Sequence, residues 1–351
     1  MPSPQNPYQP YAIVHAKANG PDDARPSPAD VIRDANIGDE LHGKVVLITG
    51  ATSGTGLESV RAMYEGGATV FATARDMPKM DKIIEQIVSS SHVKDIPRPV
   101  AIEMHLDDLD SVRQGAKTFE EKSGGKLNIL INNAGVAGVP YGQTKNGFEV
   151  HFGTNHVSHF LLFNLLKPLL IASSKATGTT SRLVNVSSAA HRRSKIRFED
   201  INFAKDPSAY EQFTAYGQSK LANIYMANYI NRHYSSQHLT ALSVHPGIVH
   251  TELGRYMGDA GWDALGGKDK FAKVFKSCAQ GASTQIWAAV DPYFEDVAHG
   301  GVYLSDCGVA GPAHDGEDDS RPCYAAYAYD EEAEETLWKV SCEMVGIKVE
   351  D

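Results

Sequence analysis

The sequence lacks the features that would assign it to a membrane or to a nucleic acid. No run of roughly 18 apolar residues occurs, so no transmembrane helix is predicted. The formal net charge of −10 disfavours nucleic acids and anionic membranes as partners, because both need concentrated positive charge. The N-terminal MPSPQNPYQP has no apolar signal core, and the C-terminal KVED is not a sorting signal. We therefore expect a cytoplasmic protein that acts on a small molecule.

Cysteine is scarce, and no metal-ligand pattern is present. The four cysteines all lie in the last quarter of the chain: Cys278, Cys307, Cys323 and Cys342. Their spacing fits no metal site, so we expect free thiols in a reducing compartment. Among the 14 histidines, His151, His156 and His159 form no H-E-x-x-H pattern. We interpret them as helix-surface or core-edge side chains, and we expect no metal.

The chain divides into an N-terminal extension and one large domain. Residues 1–42 are rich in proline, which removes backbone donors and favours extended or irregular structure. A short helix is predicted near Ala29–Ala35. The domain is predicted over 43–347, followed by a tail at 348–351. Within the domain, 250–278 has no clear period and is predicted to be a substrate-binding loop or lid.

From residue 44 onward, strand and helix patterns alternate. Strands are predicted at 44–49, 68–74, 100–106, 127–132, 182–187, 239–245 and 300–305. Helices are predicted at 55–66, 79–91, 109–122, 146–172, 213–234, 279–291 and 331–345. This alternation is typical of an α/β fold with a doubly wound parallel sheet and helices on both faces.

A glycine-rich turn joins the first strand to the first helix, with the spacing G-x-x-x-G-x-G. Glycine permits the tight turn and the close approach of a pyrophosphate, and the helix N-terminus offers free amides to it. The turn indicates a dinucleotide site. Its expected contact residues are Gly50, Thr52, Ser53, Gly54, Thr55, Gly56 and Leu57.

A basic residue follows the second predicted strand, where an NAD site would normally carry an acidic one. A carboxylate there would bind the 2′-hydroxyl of the ribose. Here the strand runs into Arg75 and Asp76. A guanidinium can instead pair with a 2′-phosphate, which favours NADP(H). The alternative is a surface salt bridge between Arg75 and Asp76.

Tyr216 and Lys220 lie four residues apart on the predicted helix 213–234, so they share one helix face. A free tyrosine has a pKa of about 10 and is a poor acid or base near neutrality. A nearby lysine cation is expected to lower that pKa toward the range useful for general acid–base catalysis. The pair proves little without further motifs.

Further motifs follow the predicted strands at the edge where such sheets bind ligands. They lie in NNAG after the fourth strand, SS after the fifth and PG after the sixth. Together with the glycine-rich turn and YGQSK, this order resembles the short-chain dehydrogenase/reductase family of classical type. The resemblance covers roughly residues 40–347. It is closest to the retinol-dehydrogenase-like branch, through NGFEVHFGTNHVSHFLL, RLVNVSSAAH, AYGQSKLAN, HPGIVHTEL, GGVYLSDC and LWKVS.

The resemblance implies a Rossmann-type fold and a role for each matching residue. Tyr216 would be the general acid/base, and Lys220 would lower its pKa and hold the nicotinamide ribose. Ser188 would orient the carbonyl group, and Asn155 would anchor a water-linked proton relay. The adenine-ribose side would be lined by Asn133, Ala134 and Gly135. The nicotinamide would contact Pro246, Gly247, Val249 and Thr251.

The sequence departs from the family pattern at two places. The family usually has an aspartate at the end of the third strand, near the adenine. An ungapped alignment puts His105 there, whereas a two-residue gap puts Asp107 there, beside Leu106; we favour Asp107. The interval from Ser188 to Tyr216 is also longer than in the shortest members, and it contains FEDINF.

The leading hypothesis is therefore an NADP(H)-dependent carbonyl reductase or alcohol dehydrogenase. The aromatic residues Tyr256, Trp262 and Phe271 of the predicted lid suggest an apolar substrate such as a polyketide, terpenoid, steroid or aromatic ketone, as in secondary metabolism. One alternative is a nucleotide-sugar epimerase or dehydratase on a related fold. Another is a non-enzymatic NADP(H)-binding regulatory protein. Because the family commonly pairs through its long helices, a homodimer is also expected.

Overall fold

An eight-stranded sheet forms the centre of the protein. The computed structural model describes residues 7–249, 251–256, 258, 267–314 and 323–349. The main strands are β1 (Val45–Ile48), β2 (Thr69–Ala74), β3 (Val100–Glu103), β4 (Ile129–Asn132), β5 (Ser181–Val186), β6 (Leu239–His245), β7 (Tyr303–Ser305) and β8 (Gly308–Val309). Their order is β3-β2-β1-β4-β5-β6-β7-β8, and only the β7–β8 pairing within this sheet is antiparallel. The predicted doubly wound parallel sheet is confirmed; the hairpin partner β8 was not predicted.

Helices cover both faces of this sheet. The helices are α1 (Ala12–His15), α2 (Pro28–Asp34), α3 (Gly54–Glu65), α4 (Met77–Ser90), α5 (Leu109–Ser123), α6 (Val150–Thr177), α7 (Gln212–Tyr234), α8 (Cys278–Val290) and α9 (Glu331–Val345). Short 3₁₀ helices lie at Ala189–Arg193, Pro207–Ala209, Ser235–Gln237, Glu252–Tyr256, Lys268–Phe271, Pro292–Glu295, Val297–His299 and Ala326–Tyr329. A small parallel pair, β9 (Gly311–Pro312) and β10 (Cys323–Tyr324), completes the regular structure.

Two hydrophobic cores result from the alternation of side chains along each strand. Leu47 of β1 belongs to the core that α5, α6, α7 and α9 cover. Its neighbours Val46 and Ile48 belong to the core that α2, α3, α4 and α8 cover. Strands buried on both faces have nearly continuous apolar sequence, which explains why the predicted strands were runs such as VVLI.

The long helix α6 differs from its predicted range of 146–172. It begins at Val150, ends at Thr177 and contains a π-helical segment at Gly153–Val157. Glu149 caps its first turn by accepting hydrogen bonds from the amides of His151 and Phe152. By length and composition α6 could cross a membrane, but 67% of its most apolar window is buried within the protein, as expected of a core helix.

The N-terminal extension is packed against the body rather than irregular along its length. The Ser27 and Asp30 capping box begins α2, which packs on α8. Arg25 is buried and donates hydrogen bonds to the carbonyl oxygens of Val274 and Phe275. The helix predicted near Ala29–Ala35 agrees with α2 at Pro28–Asp34, and tertiary partners satisfy the polar groups of Arg25 beside it.

Helix α9 covers the outer side of α6 and α7. Trp338 of α9 stacks on the ring of Tyr229 of α7, with ring centroids 4.0 Å apart. Ser341 of α9 lies 2.8 Å from Nε2 of His156 of α6. A homodimer stays a prediction, and the face that α9 covers is not available for pairing.

Candidate active site

A cavity of about 430 Å³ opens at the carboxyl edge of the sheet. It collects most of the residues that the sequence analysis selected, from segments up to 200 positions apart. Lining the cavity are Gly50, Thr52, Ser53, Gly54, Thr55, Arg75, Leu106, Asp107, Asn133, Ala134, Gly135, Ser188, Tyr216, Lys220, Pro246, Gly247, Val249 and Thr251. Three predicted residues lie outside the lining: Gly56, Leu57 and Asn155.

The glycine-rich turn is tight enough that side chains would not fit. A Cβ added at Gly56 would lie 2.3 Å from the carbonyl oxygen of Gly50. Gly50 and Gly54 have φ angles of +70° and +58°, which side-chain-bearing residues rarely adopt. Ser53, the N-cap of α3, makes no side-chain capping bond, which leaves the first amides of the helix free to face the cavity. This arrangement fits a pyrophosphate group.

Gly56 therefore allows the close packing within the turn and is not part of the cavity wall. Its neighbour Leu57 packs against the core beneath α3. At the other end of the cavity wall, Asp107 and Leu106 line the cavity, whereas His105 faces Glu103 at 3.3 Å. The geometry thus favours Asp107 over His105 at the end of β3.

Arg75 is exposed at the rim of the cavity. Asp76, the suggested salt-bridge partner, caps α4 by accepting a hydrogen bond from the Lys79 amide at 2.9 Å. Among the residues that the structure describes, no ion pair joins Arg75 to a carboxylate. The guanidinium is therefore available to an anionic ligand in the cavity.

Tyr216, Ser188 and Lys220 meet on the β5–α7 side of the cavity. The Ser188 side chain lies beside the Tyr216 hydroxyl and lowers its pKa, and the Ser188 Oγ accepts a hydrogen bond from the Ala190 amide at 3.1 Å. The Lys220 Nζ lies 5.6 Å from the centre of the Tyr216 ring and donates a 2.9 Å hydrogen bond to the Val186 carbonyl oxygen.

Burial sets the protonation of this group. It raises the pKa of Tyr216 to about 12, against a smaller lowering by the hydrogen bond from Ser188. Burial also lowers the pKa of Lys220 to about 7. The sequence analysis expected Lys220 to lower the pKa of Tyr216, and this expectation is wrong. Desolvation of the phenol outweighs the effect of the lysine, whose ammonium group points toward Val186. The phenol is protonated at neutral pH, which is the form that can donate a proton.

Asn155 lies behind Tyr216 and Lys220, in the π-helical segment of α6. Its Nδ2 donates to the carbonyl oxygen of Val136 and to Ser219 Oγ, at 3.0 and 2.9 Å. Its Oδ1 accepts from the Val136 amide at 2.8 Å. A Cβ on Gly135 would lie 3.1 Å from this Oδ1 and 3.4 Å from Lys220 Nζ. Asn155 thus holds the segment after β4 against the α7 helix.

His159 connects Asn155 to the end of β1. Thr49 Oγ1 accepts hydrogen bonds from the amides of Asn133 and Ala134, so its own proton points to His159 Nε2 at 2.9 Å. The other ring nitrogen then donates to the Asn155 carbonyl oxygen at 2.9 Å. Burial lowers the pKa of His159 to about 4, so the ring is neutral.

The three histidines of this region are fully buried, which corrects the expectation of helix-surface or core-edge positions. His156 is hydrogen-bonded to Ser341, and His151 is hydrogen-bonded to Glu149.

The sequence analysis missed several residues that line the cavity: Thr73, Ala74, Met104, Val136, Val139, Val150, Thr154, Val186, Ser187, His245, Glu252 and Leu253. Of these, His245 had a usable signal, since it directly precedes Pro246 and Gly247 at a strand end.

Only part of the predicted substrate loop is described. Trp262 and the side chain of Tyr256 lie outside the described residues. Phe271 is buried and does not line the cavity. No disulfide bond joins any two of the four cysteines, all of which lie in described parts of the chain.

Comparison with known proteins gives a consistent result. A family model described as short chain dehydrogenase matches residues 44–199. Oxidoreductase calI of Penicillium decumbens is 40% identical, covering 97% of this chain and 99% of its own. Retinol dehydrogenase 12 of Mus musculus is 38% identical, covering 89% of each chain. A solved structure of a putative uncharacterized protein from Mycobacterium paratuberculosis is 29% identical, with a TM-score of 0.66, covering 90% of this chain and 98% of its own.

Proposed function

The chain belongs to the short-chain dehydrogenase/reductase family, and from that premise we propose that it is an NADP(H)-dependent oxidoreductase. It would transfer a hydride between the nicotinamide and a carbonyl or alcohol substrate. The observation that carries this proposal is the convergence of Ser188, Tyr216 and Lys220 with the glycine-rich turn in one cavity. A regulatory protein that only bound the cofactor would not need that proton-transfer group.

In reduction, the chain's own residues would manage the proton and the substrate oxygen. NADPH, when bound, supplies the hydride. Ser188 and Tyr216 would hydrogen-bond the carbonyl oxygen, and the Tyr216 hydroxyl would give it a proton as negative charge develops there. Protonated Lys220 would stabilise the resulting phenolate, which solvent then reprotonates. Oxidation of an alcohol would run these steps in reverse.

Replacement of Arg75 tests the preference for NADPH over NADH. Because the guanidinium is exposed at the rim and free of a carboxylate, Arg75→Gln should raise the NADPH dissociation constant by roughly 10-fold or more, while NADH binding barely changes. Titration against nicotinamide fluorescence measures both constants. Arg98→Gln is the control, since Arg98 is exposed, paired with Glu85 and outside the cavity lining. Tighter binding of NADH than of NADPH by the unmodified chain would contradict the NADP(H) assignment.

The rate of carbonyl reduction should depend on pH through Lys220. Lys220, with a pKa of about 7, carries its charge below that pH and loses it above. The kcat/KM of carbonyl reduction should therefore fall as pH rises through about 7, while Tyr216 stays protonated throughout. Lys220→Arg keeps a permanent cation, so it should flatten this decline even if the rate itself is lower. A decline of the same shape in the arginine variant would assign it to another group.

The substrate is best supported as an apolar molecule. Val136, Val139 and Val150 line the same cavity as Tyr216, and the mouse relative is named for retinol, an apolar alcohol. The polyketide, terpenoid, steroid and aromatic ketone classes and a cytoplasmic location stay proposals. The activity can be tested directly by adding each member of a panel of ketones and aldehydes of these classes to the protein and NADPH at neutral pH and recording the absorbance of NADPH. We expect NADPH to be oxidised only in the presence of apolar carbonyl compounds.

A further inference from the structure

Val139 lines the cavity, and side chains from two other segments fix both of its backbone polar groups. Its amide donates to His151 Nε2 at 3.1 Å. Its carbonyl oxygen accepts from the Tyr210 hydroxyl at 2.8 Å. The His151 ring lies 6.0 Å from the Tyr216 ring, so Val139 belongs to the catalytic end of the cavity. Neither His151 nor Tyr210 lines the cavity itself.

A buried carboxylate holds the His151 ring and lies beside the Tyr210 hydroxyl. Oε1 of Glu149, which is fully buried, lies 2.8 Å from His151 Nδ1 and 3.3 Å from the Tyr210 hydroxyl. Because His151 Nε2 accepts the Val139 amide, the ring proton is on Nδ1 and points to Glu149. The carboxylate therefore fixes the tautomer of the ring that receives Val139.

Tyr210 comes from the segment between Ser188 and Tyr216 that is longer than in the shortest family members. Its ring packs edge-to-face on Phe203, at 5.3 Å, and on Tyr141, at 5.1 Å. Asn202 of the same segment accepts the Glu149 amide at 2.8 Å. The longer segment thus contributes two groups that position the wall of the cavity. Burial raises the pKa of Tyr210, as does Glu149, which keeps its hydroxyl a donor.

We propose that Tyr210, together with the His151 ring that Glu149 fixes, forms a clamp that sets the position of Val139 and thereby the substrate specificity of the site. These are positioning residues, because they act on the substrate through Val139. The specificity role rests on the proposed carbonyl reductase function. Displacement of a substrate wall by about 1 Å can cost on the order of 100-fold in rate, so a fixed backbone at this place matters.

The test compares Tyr210→Phe with Tyr225→Phe. Each change removes one hydroxyl that donates to a carbonyl oxygen, at 2.8 Å to Val139 and at 2.7 Å to Tyr327, respectively. Tyr225 lies outside the cavity lining, so it controls for the loss of one such bond. Hydrogen–deuterium exchange of peptides covering 136–145 reports on the clamp without requiring activity. Steady-state kinetics with a small and a bulky ketone report on specificity.

Tyr210→Phe should speed exchange over 136–145 and lower kcat/KM for the better ketone by about 10-fold, mainly through KM, with NADPH binding unchanged. It should also bring the kcat/KM values for the two ketones closer together. Tyr225→Phe should do neither. Unchanged exchange in Tyr210→Phe would overturn the clamp, and equal kinetic effects of both variants would overturn its role in specificity. If the unmodified chain reduces no ketone, the proposed function fails, and the exchange result still decides the clamp.

Discussion

Replacement of Tyr216 by phenylalanine is expected to lower kcat for carbonyl reduction by about 10²- to 10⁴-fold, the usual contribution of a general acid. The change removes only the hydroxyl, which Ser188 contacts, and keeps the ring that packs near His151. NADPH binding should persist, because the glycine-rich turn and Arg75 are untouched. Stopped-flow or steady-state absorbance of NADPH measures the rate, and fluorescence titration measures binding.

Tyr225→Phe is again the matched control, because Tyr225 lies on the same helix α7 and outside the cavity lining. It should retain the unmodified rate. If Tyr216→Phe also retained that rate, proton transfer would have to come from another group. If it lost NADPH binding together with activity, the defect would lie in folding or in the cofactor site.

Ser188→Ala is expected to lower kcat by about 10²- to 10³-fold, comparable to the loss of a donor to a developing oxyanion. Ser188 contacts the Tyr216 hydroxyl, and its Oγ also accepts the Ala190 amide as an N-cap. Loss of the cap should by itself cost about 1 kcal/mol of folding free energy. Ser27→Ala removes a comparable N-cap in α2, far from the chemistry.

Thermal unfolding and kinetics of the two serine variants separate these effects. Both should lose a similar, small amount of stability, whereas only Ser188→Ala should lose activity. Equal activity losses in both variants would reduce Ser188 to a structural cap. A normal rate in Ser188→Ala would remove it from the proposed mechanism.

Where local signals determine structure, the sequence is a reliable guide, as α9 shows. Its predicted range of 331–345 agrees with Glu331–Val345 to the residue. Asp330 caps the helix by accepting the Ala333 amide, and Gly346 ends it with a φ of +72°. Both signals come from the residues that directly flank the helix, so no tertiary information is needed.

The start of α6 shows where such signals fail. The predicted start at 146 lies four residues before the observed start at Val150. In the structure Gly147 has a φ of +82°, and Glu149 is the cap. A glutamate at an N-cap is uncommon, and this one is held there by its hydrogen bond to the His151 ring. The His151 ring is itself fixed from outside the helix, because its Nε2 accepts the Val139 amide.

Most of the predicted site could be found because its motifs each follow a strand. Parallel strands bring their carboxyl ends to one edge, which places Gly50, Asn133, Ser188 and Pro246 around one cavity. The protonation of Tyr216 could not be predicted, because desolvation depends on what surrounds the side chain. The roles of His151 and His159 were missed because each ring also contacts a segment that the sequence does not place beside it: the Val139 amide for His151 and the Thr49 hydroxyl for His159.

The central claim is hydride transfer from NADPH to a carbonyl carbon with Tyr216 as the proton donor. Its most direct test uses NADPH deuterated at C4, each diastereomer in turn, with the ketone that the panel identifies and mass spectrometry of the product. We predict that one diastereomer places deuterium on the product carbinol carbon with the unmodified chain, and that Tyr216→Phe forms almost no product. Absence of deuterium from both diastereomers, or equal product from Tyr216→Phe, would contradict the claim.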